Sequence, residues 1–447
     1  MSKGKIHFIA IGGAVMHQLA LDMLRLGYDV SGSDDEIYDP ALSNLRESGI
    51  CPEKFGWFPE KIIKDLDFIV LGMHARAENP ELLKARELDI KIYSYPELVY
   101  SFSENKKRVV VAGSHGKTTT TSMILHVLKK NKVDFDFLVG AKLDGFDRMV
   151  KLTNAPILVV EGDEYLSSPI DRVPKIHKYH PHISVLTGIA WDHINVFPTF
   201  ENYKEQFSIY LQTFEKNGIL FYYKNDSNIV QILQNESLEI KAIPYEGLDR
   251  EEGSLIRYHG KVYPISVIGK HNLENMHAAL MVCRELGISE GLFFDSIADF
   301  TGAQKRLQKL FDKDGKLVYL DFAHAPSKVK ATCSAFADWY DDKPLLAVLE
   351  LHTFSSVSSA FLPEYYHSLE SADRVIVYLS PHTFAMKQMS MLTSSDIQKA
   401  FDHPRLIVIT NPAELKEELE RQELKDYHVL MMSSGTFDKL DFSTINF

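Results

Sequence analysis

The stretch Ala112-Gly113-Ser114-His115-Gly116-Lys117-Thr118-Thr119-Thr120 constrains this chain more than any other. An apolar β-type run, Arg108 to Val111, leads into it. Behind it Met123, Ile124, Val127 and Leu128 recur on one helical face. Strand, glycine loop, Lys-Thr and helix make up the physical recipe for holding a nucleoside triphosphate. Glycines let backbone N–H groups approach the phosphates, and the helix N-terminus adds a positive dipole end. In such a loop Lys117 can neutralise β/γ-phosphate charge, and the Thr118 hydroxyl can ligate Mg²⁺. The strict pattern G-x-x-x-x-G-K-[ST] wants glycine at position 111, where this chain has Val111. The competing reading is an ordinary strand-to-helix turn with a surface lysine.

At 447 residues the chain is long enough for about three domains. A net charge of −12 argues against a general nucleic-acid or anionic-membrane surface. Nothing resembles a signal peptide, and no apolar run is long enough to span a bilayer. Cys51, Cys283 and Cys333 are scattered, so neither a disulfide framework nor a zinc site is expected. A reducing cytoplasm is the expected compartment.

The chain opens on a βαβ pattern: strand Lys5–Ile11, turn Gly12-Gly13, helix Met16–Leu26, strand Tyr28–Gly32, then Ser33 and Asp34. An acidic residue about twenty positions after a glycine turn fits a nucleotide-type unit. The G-x-G-x-x-G spacing is broken at Ala10 and Val15, and Asp34 is equally well a solvated strand end. A further strand, Asp67–Gly72, delivers His74. The polar stretch Ser101–Lys107 reads as a linker. Beyond the phosphate loop, strand Pro156–Val160 delivers Glu161, Asp163 and Glu164, where Mg²⁺ ligands and water-positioning carboxylates occur. Ile183–Ala190 ends in Trp191-Asp192-His193, which suggests a second cation position or a phosphate contact. Asn272 precedes a helix, Glu274–Leu286, as an N-cap or a ligand contact. Arg306, after Lys305, is placed to reach a phosphate.

The turn-rich Phe311–Lys316 reads as the second boundary. Apolar runs at Leu317–Leu320, Leu345–Leu351, Arg374–Leu379, Arg405–Ile409 and His428–Met432 then alternate with helical patterns. Asp321, His324, Glu350, His352 and Ser433-Ser434-Gly435 lie just after strands, where such a domain puts its site. The expected fold is α/β with three domains: a Rossmann-like domain at 1–103, a central P-loop domain at 104–310 and a second Rossmann-like domain at 311–447.

Taken together, these motifs resemble the Mur ligases of peptidoglycan synthesis along nearly the whole chain. Gly-Ser-His-Gly-Lys-Thr-Thr-Thr at 113–120 is similar to that family's G-[TS]-H-G-K-T-T-T. Ser31-Gly32-Ser33-Asp34 resembles the S-G-S-D of its muramate-type branch. Glu161-Gly162-Asp163-Glu164-Tyr165 is similar to E-A-D-E-[SY], and His271-Asn272 to H-N. Lys305-Arg306 covers R-R in part. Asp321-Phe322-Ala323-His324-Ala325-Pro326 resembles D-Y-[GA]-H-H-P, with Ala325 in place of the second histidine.

The resemblance implies ATP and Mg²⁺ as cofactors. It implies that Lys117 binds the β/γ-phosphates within a cradle of Gly113, Ser114, His115, Gly116 and Thr119. Thr118 and Glu161 would hold the ATP magnesium, and His193 would sit at a second magnesium. Asn272 would contact adenine; Arg306, Asp321 and His324 would lie toward phosphate and ribose. Gly12, Gly13, Ser33, Asp34 and His74 would take UDP-N-acetylmuramate, and His352 the incoming amine.

Within the branch, Asp192-His193-Ile194-Asn195-Val196-Phe197, Glu161–Tyr165, Val348–Glu350 and Met432–Phe437 lean toward members that use the peptide L-Ala-γ-D-Glu-meso-diaminopimelate. His352 leans toward those that use L-alanine. The arginine expected nearby in either is replaced by Thr353, Phe354 and Ser355. The activity implied is ATP-dependent amide formation through an acyl phosphate, with small-molecule substrates and no nucleic acid or membrane insertion. A non-catalytic nucleotide-sensing protein and a folylpolyglutamate-type ligase are the competing classes. The N-terminal βαβ unit argues against the folate reading, and Asp192-His193 against the sensor. Oligomeric state is left open.

Overall fold

Continuous apolar runs form strands buried on both faces, which is the pattern of a parallel sheet covered by helices. The computed structural model describes residues 3–192, 196–251, 254–302, 307–313 and 315–446. The described residues fall into two compact units. The first draws on Met1–Trp191, Val196–Glu246 and His277–Ile297, and the second on Asp192–Asn195, Gly247–Met276 and Ala298–Phe447.

The first unit contains two sheets. Strands β1 (Lys5–Ile9), β2 (Asp29–Ser33), β3 (Phe68–Leu71) and β4 (Ile92–Ser94) form a parallel sheet in the order β2-β1-β3-β4. A helix, Ala14–Arg25, connects the first two. The larger sheet comprises β5 (Lys107–Ala112), β6 (Asp136–Leu138), β7 (Val150–Lys151), β8 (Ile157–Glu161), β9 (Ile183–Leu186), β10 (Ile219–Tyr223) and β11 (Lys241–Tyr245). Its order is β11-β10-β9-β5-β8-β6-β7, parallel except for the β6–β7 pair. One continuous core includes Phe8 and Leu19 from the first sheet's layer and Val110, Leu158 and Phe207 from the second's. Each such side chain, fully buried, contributes about 1.5–3 kcal/mol.

The polar segment after the fourth strand is short and pinned. Helix Tyr95–Ser101 runs directly into a turn before β5. The buried Arg108 guanidinium donates to the carbonyls of Ser103 (2.7 Å), Glu104 (3.1 Å) and His180 (2.9 Å), and pairs with Glu215. Its fixed fork satisfies several backbone acceptors at once, which a lysine cannot do.

In the second unit, β12 (Asp249–Arg250), β13 (Leu255–Tyr258) and β14 (Lys261–Pro264) form a small antiparallel sheet. The remaining strands are β15 (Gln308–Lys313), β16 (Lys316–Asp321), β17 (Leu345–Glu350), β18 (Arg374–Tyr378), β19 (Leu406–Ile409) and β20 (His428–Met432). They are ordered β15-β16-β20-β17-β18-β19 and are parallel except for β15–β16. The last strand thus inserts between β16 and β17, and loops after these strands converge where such folds place a ligand crevice.

The strand runs expected from sequence are present with ends shifted by a few residues. Two expectations change. Helix Lys270–Glu285 begins four residues before Glu274, so Asn272 lies inside it. Phe311–Lys316, read as the second boundary, lies within a hairpin, because Gln308–Lys313 pairs antiparallel with Lys316–Asp321. Gly315 (φ 73°) supplies the left-handed backbone that such a turn needs.

Candidate active site

β5 stands between β8 and β9, so its C-terminal end faces both the acidic end of β8 and the loop after β9. Position 111 lies inside β5 with its valine fully buried, and the glycine turn starts at Gly113. Gly113 has φ +119°, and a Cβ there would lie 2.4 Å from Thr187 Oγ1. Gly116 (φ 72°) caps helix Lys117–Lys130. Both turns require glycine. Ser114 N donates to the Gly188 carbonyl (2.8 Å), and the Thr187 hydroxyl donates to the His115 carbonyl.

Lys117 is drawn back over this loop. Its Nζ donates to the Gly113 carbonyl (2.6 Å) and to Glu164 Oε2 (2.7 Å). Burial alone would lower its pKa; Glu164, with Asp163 and Glu161 behind it, raises it above the ordinary lysine value. Tyr203 OH donates to Glu164 Oε1 (3.1 Å) and lies 2.9 Å from Ser114 Oγ, which accepts from Ala190 N. Tyr203 was not legible in the sequence; only its place one turn into the Phe200–Leu211 helix explains it.

Thr118 Oγ1 donates to Glu161 Oε1 (2.7 Å), and Gly140 N donates to the other oxygen (3.0 Å). Thr119 is buried in the first turn of the same helix. A hydroxyl and a carboxylate at a phosphate loop are an oxygen-only donor set of the kind Mg²⁺ takes when phosphates and water complete its shell. The residues therefore fit the ion. Among the described residues no set of three side chains would hold a metal unaided. Asp163 pairs with Lys175 (2.5 Å); burial works against ionisation there, but Lys175 and Lys117 hold the carboxyl down at about 2. His193 and Arg306 lie outside the described residues.

In the first unit a cavity of about 690 Å³ is lined by Gly12, Gly13, Asp34, His74, Lys142 and Arg148 among others. The N-terminus of helix Ala14–Arg25 opens on it, so backbone N–H groups and two cations face one space. Asp34 Oδ2 accepts from Gly12 N (2.7 Å). Burial raises its pKa to about 6, the Gly12 bond opposing and Asp35 reinforcing. Ser33 is not brought to this cavity. It is fully buried in β2, where Lys61 Nζ donates to its hydroxyl (3.4 Å). The contribution of Lys142 and Arg148, from the second sheet's loops, was missed in the sequence because nothing in their spacing ties them to Gly12.

In the second unit Glu350 ends β17, nearly fully buried. Its Oε2 accepts from the Ser433 hydroxyl and from Phe437 N (2.9 Å). His352 Nδ1 lies 3.9 Å from Glu350 Oε1 and 3.2 Å from Thr383 Oγ1. Burial lowers its pKa, against the upward pull of Glu350. Phe437, Asp438 and Lys439 are consecutive left-handed residues (φ 49°, 53° and 64°). Such backbone costs about 1 kcal/mol or more per residue and persists where its surroundings hold it. Here Asp438 accepts from Tyr378 OH and Ser380 Oγ, both at 2.7 Å.

The remaining residues singled out in the sequence are used internally. Asp321 accepts from Leu307 N (2.8 Å) and Ala323 N (2.7 Å). His324 Nδ1 lies 2.9 Å from the Phe322 carbonyl. Asn272 Nδ2 donates to the Ile268 carbonyl (2.7 Å).

A half-buried lysine on a glycine loop, a Thr–carboxylate pair beside it and a parallel α/β scaffold define a P-loop nucleotide-triphosphate enzyme. Residues 5–107 match the family described as "Mur ligase family, catalytic domain", and residues 111–283 match "Mur ligase middle domain". The UDP-N-acetylmuramate–L-alanine ligase of a Sulfurihydrogenibium species is 30% identical over 384 residues, covering 83% of this chain and 82% of that protein. A murein peptide ligase structure from Psychrobacter arcticus superposes with a TM-score of 0.67 at 21% identity, covering 98% and 97% of the two chains. The UDP-N-acetylmuramate–alanine ligase structure from Thermotoga maritima gives 0.69 at 19% identity, covering 97% and 96%. The chain belongs to the Mur ligase family: it is an ATP-dependent amide ligase of peptidoglycan biosynthesis acting on small-molecule substrates. No helix among the described residues is long and apolar enough to cross a membrane.

Proposed function

We propose that this enzyme joins the lactyl carboxylate of UDP-N-acetylmuramate to the amine of the peptide L-Ala-γ-D-Glu-meso-diaminopimelate, in the cytoplasm and in peptidoglycan recycling. The lactyl carboxylate attacks the γ-phosphorus of ATP, the bond to the β-phosphate oxygen breaks and ADP leaves. The amine nitrogen then attacks the acyl phosphate carbon, loses its proton, and phosphate departs. Carboxylate and triphosphate repel each other, so the chain must offset that charge and hold an in-line geometry. Lys117 does this by leaving Glu164 for the β/γ-phosphates; Gly113, Ser114, His115, Gly116 and Thr119 supply the surrounding loop. Thr118 and Glu161 would hold Mg²⁺, with His193 at a second ion, and the metal would supply charge neutralisation at the transferring phosphoryl group. Gly12, Gly13, Asp34 and His74 would line the UDP-sugar cavity. Arg306, Asp321 and His324 lie toward ribose and phosphate in this reading, and Asn272 toward adenine. The domain division at 103/104 is part of it; the second boundary moves ahead of Gln308, because that strand belongs to the hairpin.

The Lys117–Thr118–Glu161 constellation carries the ligase chemistry. The choice of peptide over a single amino acid is supported by the rim of the second-unit crevice. Phe354, under the Lys387 ammonium (4.4 Å), and Met386, next to Lys387 in the chain, are 60% and 61% exposed, apolar side chains of the kind a peptide acceptor can cover. L-Alanine is the second reading, favoured by relatives that are named UDP-N-acetylmuramate–L-alanine ligases at 28–31% identity. Phosphate release with ATP, Mg²⁺ and UDP-N-acetylmuramate, with tripeptide or free L-alanine as acceptor, decides between them. Turnover with tripeptide alone supports the proposal, and turnover with alanine alone replaces it.

A further inference from the structure

Three carboxylates stand at the end of β8, Glu161, Asp163 and Glu164, and each is claimed by a different partner. Glu161 accepts from Thr118, and Glu164 holds Lys117. Asp163 is engaged elsewhere. Its Oδ1 accepts from Tyr165 N (3.0 Å), and its Oδ2 accepts from Lys175 Nζ (2.5 Å). Lys175 opens the short 3₁₀ helix Lys175–Lys178, and the backbone keeps the pair in register. Lys175 N donates to the Tyr165 carbonyl (2.9 Å), and Ile176 N donates to the Asp163 carbonyl (3.1 Å). The Lys175 side chain is nearly buried, its ammonium 5.4 Å from the centre of the Tyr95 ring and 5.5 Å from that of Tyr165. The ligation chemistry set out above makes no use of this pair.

We propose that Lys175 is a positioning residue of the phosphate site: by holding Asp163 it leaves Lys117 one protein carboxylate to exchange for the triphosphate. This rests on the reading of Lys117 as the phosphate-binding lysine. An ammonium that serves a phosphate must first give up its protein partners, and each charge-assisted contact surrendered weakens binding. Among the described residues Lys117 has one ion-pair partner, Glu164, although the charge of Asp163 also reaches it. When Lys117 turns to phosphate, Glu164 keeps the Tyr203 hydroxyl (3.1 Å). Asp163 has the Tyr165 amide and Lys175. With Lys175 gone, its Oδ2 loses its partner, and the other cation whose charge bears on it is Lys117. Asp163 then competes with the incoming phosphate for that ammonium. The two tyrosine rings favour a cation between them, so Lys175 is held at Asp163 from both sides.

The test is titration calorimetry on the full-length enzyme with the β,γ-imido analogue of ATP and Mg²⁺, and separately with UDP-N-acetylmuramate. Lys175→Met should weaken binding of the ATP analogue about tenfold, the size of one charge-assisted contact. Its affinity for UDP-N-acetylmuramate should stay at the wild-type value, which a general loss of fold would not allow. Adding Asp163→Asn to Lys175→Met removes the competing charge and should return the analogue's affinity to within about threefold of wild type. Lys175→Arg keeps the charge and should keep most of the affinity. If Lys175→Met does not fold, Lys175→Gln is read in its place by the same outcomes. An unchanged affinity for the analogue in Lys175→Met, or a loss that Asp163→Asn does not repair, overturns the inference while the site assignment stands. Lys117→Ala is the control. Equal binding of the analogue by wild type and Lys117→Ala overturns the site assignment first, and this inference with it.

Discussion

The phosphate-loop end of the first unit and the crevice of the second unit are built on the same kind of parallel sheet, yet they present chemistry differently. At the phosphate loop the functional groups already engage one another. Lys117 holds Glu164, Thr118 holds Glu161, and Tyr203 joins Glu164 to Ser114. In the crevice the buried acids are satisfied by hydroxyls and backbone, while the rim exposes Phe354 and Met386. In the proposed function the first arrangement serves phosphate chemistry and the second serves the acceptor. The first is drawn largely from adjacent residues of one loop, and the second is spread over several loops.

The sharpest way to break this contrast is at Lys117. Lys117→Ala should lower kcat for ligation about a thousandfold or more, with the fold intact by circular dichroism. Ligation at the wild-type rate would show that the loop is not the ATP site. Glu161→Gln keeps the side chain's shape but removes its charge. It should cost about a hundredfold in kcat and shift the Mg²⁺ requirement upward, read from rates across a magnesium titration. An unshifted titration would remove Glu161 from the metal. Across the divide, His352→Ala should raise the acceptor KM about fivefold, as expected for one neutral hydrogen-bonding group, with the ATP KM unchanged. An effect on ATP instead would erase the distinction between the two regions.

The smallest effect concerns Asp34, in the first unit's cavity. Its carboxyl is raised from 3.8 to about 6, so the folded chain binds its proton more tightly than the unfolded chain does. Stability from this group is fully present below pH 3.8 and is lost as pH rises through 6. Urea midpoints of the wild type should therefore fall relative to Asp34→Asn between pH 4 and about 6.5, and run parallel above that. Parallel curves throughout would mean that Asp34 is not desolvated.

The legibility of each part follows from how far apart in the chain its residues lie. The glycine turn from Gly113 into the helix at Lys117 was readable because its residue types stand at adjacent positions, and the place of Glu161 was readable because an apolar strand delivers it. Val111 looked like a defect in the motif, yet it is a core residue of β5, the turn beginning two residues later. Lys142 and Arg148 were invisible for the opposite reason: tertiary packing brings them to Gly12 across more than a hundred residues. Asp438 joins Glu350 only because β20 inserts between β16 and β17. Phe311–Lys316 was read as a boundary because it is turn-rich, and the same turn residues also join the two strands of a hairpin.

Arg108 changes what the polar stretch before β5 means for the life of the chain. Residues 101–107 have the composition of a protease-sensitive tether, and a nicking enzyme needs to draw such a segment into an extended shape. The carbonyls of Ser103 and Glu104 are held by a buried guanidinium anchored at the far side by Glu215 and the His180 carbonyl. Cleavage there demands extraction of an arginine from the interior, so the stretch behaves as a splice and not as a seam. Limited digestion of the intact enzyme should spare it, and an engineer seeking a place to divide or insert into this chain should look elsewhere.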